Sequence, residues 1–327
     1  MTSPATRVRA LVPATALLLA GAALTGCGAL TSDGSPASGR EVVAAFYPLA
    51  WVAERVAGEH LEVTNLTAPG KEPHDLELAA RDVARLSDAR VVIHETGLQP
   101  AVDAAVAEHA RGEVVDIVDI VELQPFADHS EEGHTDEGHA EEEGHAEEEG
   151  HDHEGEADPH FWHDPLLMAE YADALADRFA DVDPDHADDF TANADALRTD
   201  LAALDEEFRT GLADCKRDTV VVNHDAFGYL SRYGLHLEPI VGFSPDAEAD
   251  AGTQSRIREL IREEGITTVF TERLASRKTS QSLASSVGVR TDVLDPVEGL
   301  TEETEGEDYL SLMRANLESL RGANACA

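Results

Sequence analysis

The chain predicts an α/β fold of two lobes, each with a parallel β-sheet flanked by helices, joined by a single long rigid helix, with a cleft between the lobes. Three observations carry this. Short apolar strands alternate with amphipathic helices in two separate series, the pattern of βα units with right-handed crossovers. Between the series, no Gly or Pro interrupts the chain from Pro184 to Gly211. Setting aside the N-terminus and one acidic loop leaves roughly 270 residues, enough for two domains or one large one.

The elements follow in order. Arg7 and Arg9 precede an apolar run from Ala10 to Ala23, and "LTGC" ends at Cys27. Residues 1–27 therefore read as a secretory signal with a lipoprotein cleavage site, after which the Cys27 thiol takes lipid. A transmembrane helix is the competing reading, but the run is short for a span. Residues 28–40, with "SDGSPASG", read as a flexible tether. An N-terminal lobe over 41–183 takes strands in "EVVAAFYPL", "LEVTNLT", "RVVIHE" and "EVVDIVD", with helices in "AWVAERVAG", "LELAARDVARLSD" and "PAVDAAVAEHA". "DPLLMAEYADALADRFADV" starts a helix with Asp164 as N-cap and Pro165 at the first helical position. Residues 184–213 form the linker helix. The C-terminal lobe, 214–327, takes strands in "TVVV", "LHLEPIVG", "TTVFTE" and "RTDVLD", with helices in "AFGYLSRYG", "TQSRIRELIREEG", "KTSQSLASSVG" and from about Glu307 to Arg321.

Charge narrows the function. Twenty-four basic against sixty-six acidic residues give a net charge of -42, which argues against nucleic acid or anionic phosphates and for cations. From Asp128 to Asp158 there are fifteen carboxylates, six histidines and no Lys or Arg, so this segment cannot bury enough apolar surface to fold alone and is expected to be a mobile loop. His129, His134, His139, His145, His151 and His153 recur along it; such a loop can gather a metal cation weakly through shifting ligand sets. The alternative is a charged linker without a specific role. Protons compete for imidazole, so loop binding should fall off below about pH 6. With Cys27 assigned to lipid, Cys215 and Cys326 remain, and in an oxidising exterior they are expected to pair and pin the C-terminal helix. Two isolated thiols are the other possibility.

In open α/β sheets ligands sit beyond the carboxyl ends of strands. Those places hold His74 in "APGKEPHD", His160 and His163 in "DPHFWHDP", and His224 in "NHDAFGYL". One such histidine would be ordinary. Three at corresponding edges of two lobes point to a metal, and a neighbouring carboxylate can fix each tautomer.

"EPHD", "DPHFWHDP", "NHDAFGYL", "GFSPDAEADAGTQ", "VFTERLASRK" and "LDPVEGL", in that order from about Val42 to Arg321, resemble the metal-binding lipoproteins of zinc and manganese ABC transporters, in the zinc-uptake subgroup with a His-rich acidic loop. The resemblance implies His74, His160 and His224 as ligands of a metal in the interlobe cleft. For the fourth ligand the candidates are Glu298, then Asp295, Glu272 or water. Three imidazoles and one carboxylate suit four-coordinate Zn²⁺ over Mn²⁺, which prefers more oxygen. The resemblance further implies capture of Zn²⁺ outside the cell membrane by a lipid-anchored, exported monomer and its delivery to a cognate ABC permease with a cytoplasmic ATPase. Mn²⁺ uptake, a surface zinc buffer and an adhesin are the alternatives. An enzyme is not expected: no H-E-x-x-H occurs, and a carboxylate closing the shell leaves no place for a reactive water. Two positions depart from the family pattern. His163 stands where an apolar residue is usual, as a spare ligand, a supporting group or an exposed substitution, and "GLQP" at 97–100 replaces the usual Gly-Leu-Glu and aromatic. His94, ending "VVIH", reads as a rim residue rather than a ligand.

Overall fold

The computed structural model describes residues 39–127 and 157–327. The signal, Cys27, most of the tether and the six loop histidines lie outside the described residues. The first series is β1 (Glu41–Ala44), α1 (Tyr47–Ala57), β2 (Glu62–Asn65), α2 (Ala80–Asp88), β3 (Val91–His94), α3 (Pro100–His109) and β4 (Glu113–Asp116). Two helices follow, α4 (Pro165–Val182) and α5 (Ala187–Gly211). The second series is β5 (Thr219–Val222), β6 (His236–Pro239), α6 (Ala251–Glu263), β7 (Thr268–Thr271), α7 (Lys278–Val287), β8 (Arg290–Val293) and α8 (Tyr309–Asn324).

Both sheets are parallel and share one topology, β2-β1-β3-β4 and β6-β5-β7-β8. Strand order reverses between β1 and β3, and again between β5 and β7, which creates a crevice at each set of carboxyl ends. β3 and β5 are buried along their whole length, as expected of strands covered on both faces, whereas the edge strand β2 is polar and partly exposed.

Local chemistry moves several boundaries. The strand expected over "EVVAAFYPL" ends at Ala44, because Pro48 sits in the first turn of α1, where its fixed φ and missing N–H are tolerated. β4 ends at Asp116, whose side chain accepts from Val118 N and opens a 3₁₀ turn. "AFGYLSRYG" is not an α-helix but a 3₁₀ segment, Gly228–Tyr233. A Cβ on Gly228 would lie 2.7 Å from Asp158 Oδ2, and Gly234 takes φ 82 to end the segment. Asp164 does cap α4, accepting from Leu166 N at 2.8 Å.

The linker is a 3₁₀ turn at Pro184–His186 followed by α5, whose 25 residues span on the order of 37 Å. It does not stand free. Phe190, Ala194, Leu197, Leu201, Leu204 and Phe208, at helical spacing, are buried where α5 packs on α1, α4 and α8. One apolar core runs through both lobes, with Phe46 against Trp162 (ring centroids 5.1 Å) and Trp51 against Tyr309 (4.8 Å). A smaller cluster, including Ile257, Ile261 and Leu283, covers the far face of the second sheet. Cys215 and Cys326 form a disulfide that ties the end of α8 to the segment after α5.

Candidate metal centre

Four side chains converge at the carboxyl ends of the two sheets, and each is aimed by its own neighbours. His74 lies on the loop between β2 and α2, where the Glu72 carboxylate accepts the N–H groups of His74 and Asp75, both at 3.1 Å. Gln99 Nε2 donates to Pro73 O (3.1 Å) and Thr67 Oγ1 (3.0 Å), buttressing the loop from behind. Gly70 N donates to Leu300 O at 2.7 Å, so this loop of the first lobe is fastened to the segment after β8 in the second.

His160 precedes the 3₁₀ turn Phe161–His163, and Asp158 Oδ1 accepts both its backbone N–H (3.0 Å) and its ring Nδ1–H (2.7 Å). His224 follows β5, and Glu272, at the end of β7, does the same for it at 3.2 and 2.7 Å. Carboxylates on two Nδ1 atoms fix the tautomer with the Nε2 lone pair facing inward.

Glu298 completes the group. Its Oε1 lies 3.4 Å from His74 Nε2, 3.7 Å from His160 Nε2 and 3.5 Å from His224 Nε2. One donor atom from each of the four residues lies within 4.8 Å of every other. A tetrahedron of donors about 2.0–2.1 Å from a zinc ion has edges of about 3.4 Å, and the three separations from Glu298 Oε1 are close to that. His160 and His224 are 0% exposed, Glu298 1% and His74 8%, and neither the three Nε2 atoms nor Oε1 has a hydrogen-bond partner among the described residues. Four unpartnered polar atoms converging in the interior are costly unless a ligand takes them.

The Glu298 charge fits a cation, and any proton on the imidazoles has to give way to it. Burial would raise the Glu298 carboxyl, but the His224 and His74 imidazoles beside it outweigh burial and hold it well below the ordinary carboxylate range. Burial would lower His224, yet Glu272 and Glu298 raise it well above the usual imidazole value. Burial raises Glu72, against the pull of His74. Phe243 stands edge-on to His74 at 4.4 Å between ring centroids, and Phe126 is 6.2 Å from Phe243 and 6.3 Å from His160, so aromatic rings cover the group.

The other residues singled out from the sequence lie apart. Glu272 stands behind His224 as its hydrogen-bond acceptor. Asp295 is engaged by Arg273 Nε at 2.9 Å and by Val297 N at 2.9 Å. His163 is fully buried against Phe227 (5.0 Å), and burial drops its pKa to about 3, so it stays neutral and outside the cluster. His94 is buried and pairs with Asp103 at 3.2 Å, outside the cluster. Sequence reasoning marked Gln99 only as a departure from the family pattern in "GLQP" and did not anticipate its buttressing role or the cover at Phe243.

A profile of the ZnuA family, zinc-uptake complex component A, periplasmic, matches residues 42–323. The chain belongs to this family. The ZnuA-family assignment agrees with two relatives and a solved structure. The zinc-binding lipoprotein AdcA of Streptococcus pneumoniae is 33% identical over 86% of this chain, which spans only 55% of AdcA, about half the length of the curated relatives of that kind. The high-affinity zinc uptake system protein ZnuA of Bacillus subtilis is 31% identical over 90% of this chain and 92% of its own length. The crystal structure of the Zn(II)-bound ZnuA-like domain of S. pneumoniae AdcA superposes with a TM-score of 0.69 at 30% identity, covering 87% of this chain and 98% of that domain.

Proposed function

We propose that this protein captures Zn²⁺ outside the cytoplasm and delivers it to an ABC permease driven by a separate cytoplasmic ATPase, with His74, His160, His224 and Glu298 as the zinc ligands. The observation that carries the reading is the buried convergence of three Nε2 atoms on Glu298 Oε1, at 3.4–3.7 Å. Three nitrogens and one oxygen favour Zn²⁺ over Mn²⁺. With four protein donors the shell is complete, which suits binding and transport and leaves no open position for a hydrolytic water. Relatives named as zinc-binding and zinc-uptake proteins support zinc as cargo, and the lipoprotein name of AdcA supports an extracytoplasmic place with lipid on Cys27.

Loading and release act on local bonds. Zn²⁺ displaces whatever proton the imidazoles hold, and the Nδ1 carboxylates of Asp158 and Glu272 keep both rings aimed as it leaves. Withdrawal of Glu298 and the His74 loop, fastened to each other through Gly70 and Leu300, opens the shell without separating the lobes. The test is uptake of radioactive zinc by cells lacking the protein. Wild type should restore uptake and His160→Ala should not; restoration by His160→Ala would overturn the assignment.

A further inference from the structure

Val297, the residue before Glu298, has φ 58, in the left-handed region. Among the described residues only Ala325 shares this without being glycine, and Ala325 is the C-cap of α8, where a left-handed residue is routine. For a β-branched residue the conformation is an outlier, because Cβ crowds the following carbonyl. It is held from several sides. Val297 N–H donates to Asp295 Oδ1 at 2.9 Å, and Arg273 engages the other oxygen of that carboxylate. Asn316 of α8 accepts from Asp295 N at 2.8 Å and donates to Asp295 O at 2.7 Å. Trp162 Nε1 donates to Pro296 O at 2.7 Å, and the Val297 side chain is 0% exposed.

We propose that Val297 is the positioning residue that aims Glu298 at the three imidazoles, and that its strained turn is what makes the fourth donor preorganised. The inference rests on Glu298 being a zinc ligand. A return of Val297 to the extended or helical region would swing the next side chain away from the cleft; the Asp295–Arg273–Asn316 clamp and the buried isopropyl group prevent it. Strain kept by surrounding packing beside a binding group is the usual form of such preorganisation.

The test compares full-length Val297→Gly, Glu298→Gln and Ile261→Ala proteins with wild type, by chelator-competed Zn²⁺ titration and by the visible spectrum of bound Co²⁺, whose intensity reports four-coordination. Glycine tolerates φ 58 but removes the buried wedge, so the turn is no longer confined to one well. Val297→Gly should bind Zn²⁺ on the order of 10–100-fold more weakly, as for other supporting residues, and lose Co²⁺ band intensity. Ile261→Ala, a cavity in the smaller cluster on the far face of the second sheet, should lower the melting temperature and leave both readouts unchanged. A wild-type Co²⁺ spectrum in Val297→Gly overturns the inference whatever its affinity. Wild-type binding by Glu298→Gln instead overturns the ligand assignment beneath it. Should Val297→Gly fail to fold, Val297→Ala, which shortens the wedge, is expected to shift both readouts in the same direction, and no shift overturns the inference.

Discussion

Asp158 and Glu272 stand outside the four-residue cluster, yet each decides which nitrogen of its histidine faces the cleft. Asp158→Asn and Glu272→Gln keep the shape but lose the charge, and each should weaken zinc binding on the order of 10–100-fold, measured by chelator competition. Glu95 poses a different residue-scale problem. It is 1% exposed, both carboxyl oxygens lack a partner among the described residues, and burial first, then Asp158, Asp116 and Asp103, raise its pKa well above the ordinary value. A carboxyl whose folded pKa exceeds its unfolded pKa binds more protons in the folded state, so it takes stability away as pH rises above about 4.3. Glu95→Gln should therefore be more stable than wild type at pH 8 and close to it at pH 4, by denaturant unfolding of the metal-free protein. A constant difference across that range would contradict the buried, protonated state.

At the scale of elements, α5 works as a packed spine rather than a free rod. Phe190→Ala removes a fully buried ring where α5 meets the first lobe and should cost about 3–5 kcal/mol by equilibrium unfolding. Reducing the Cys215–Cys326 disulfide should cost about 2–5 kcal/mol and loosen α8, with Asn316 and its hold on Asp295. Much of this level is legible in the sequence. The βα alternation, the Asp164–Pro165 helix start and the long Gly- and Pro-free run each have a local cause written in residue type, and each appears where expected. His74 and His224 are legible because they follow strand ends, and all three histidines, His160 included, lie in ordered motifs. Glu298 can be named first from "LDPVEGL", but Asp295 and Glu272 stay open as alternatives, since only the fold turns one carboxylate inward and the others onto Arg273 and His224. "AFGYLSRYG" misleads for the same reason: its helical pattern is local, while the approach of Asp158 to Gly228 is not.

For the whole molecule, one core continuous through both sheets and the bonds from Gly70 to Leu300 and Trp162 to Pro296 oppose a wide hinge. Removing zinc should leave the radius of gyration unchanged within error in solution scattering; a large expansion would sink the picture of local release. The central claim is that the buried cluster, and not the histidine-rich segment at 129–153, is the principal zinc site. The most direct measurement is a chelator-competed titration of Zn²⁺ and Mn²⁺ into protein lacking residues 1–27 and 128–155, beside the same protein carrying His224→Ala. The account predicts one tight site per chain, selective for Zn²⁺ and lost in His224→Ala. No tight site without the segment would contradict it and make the protein a surface zinc buffer.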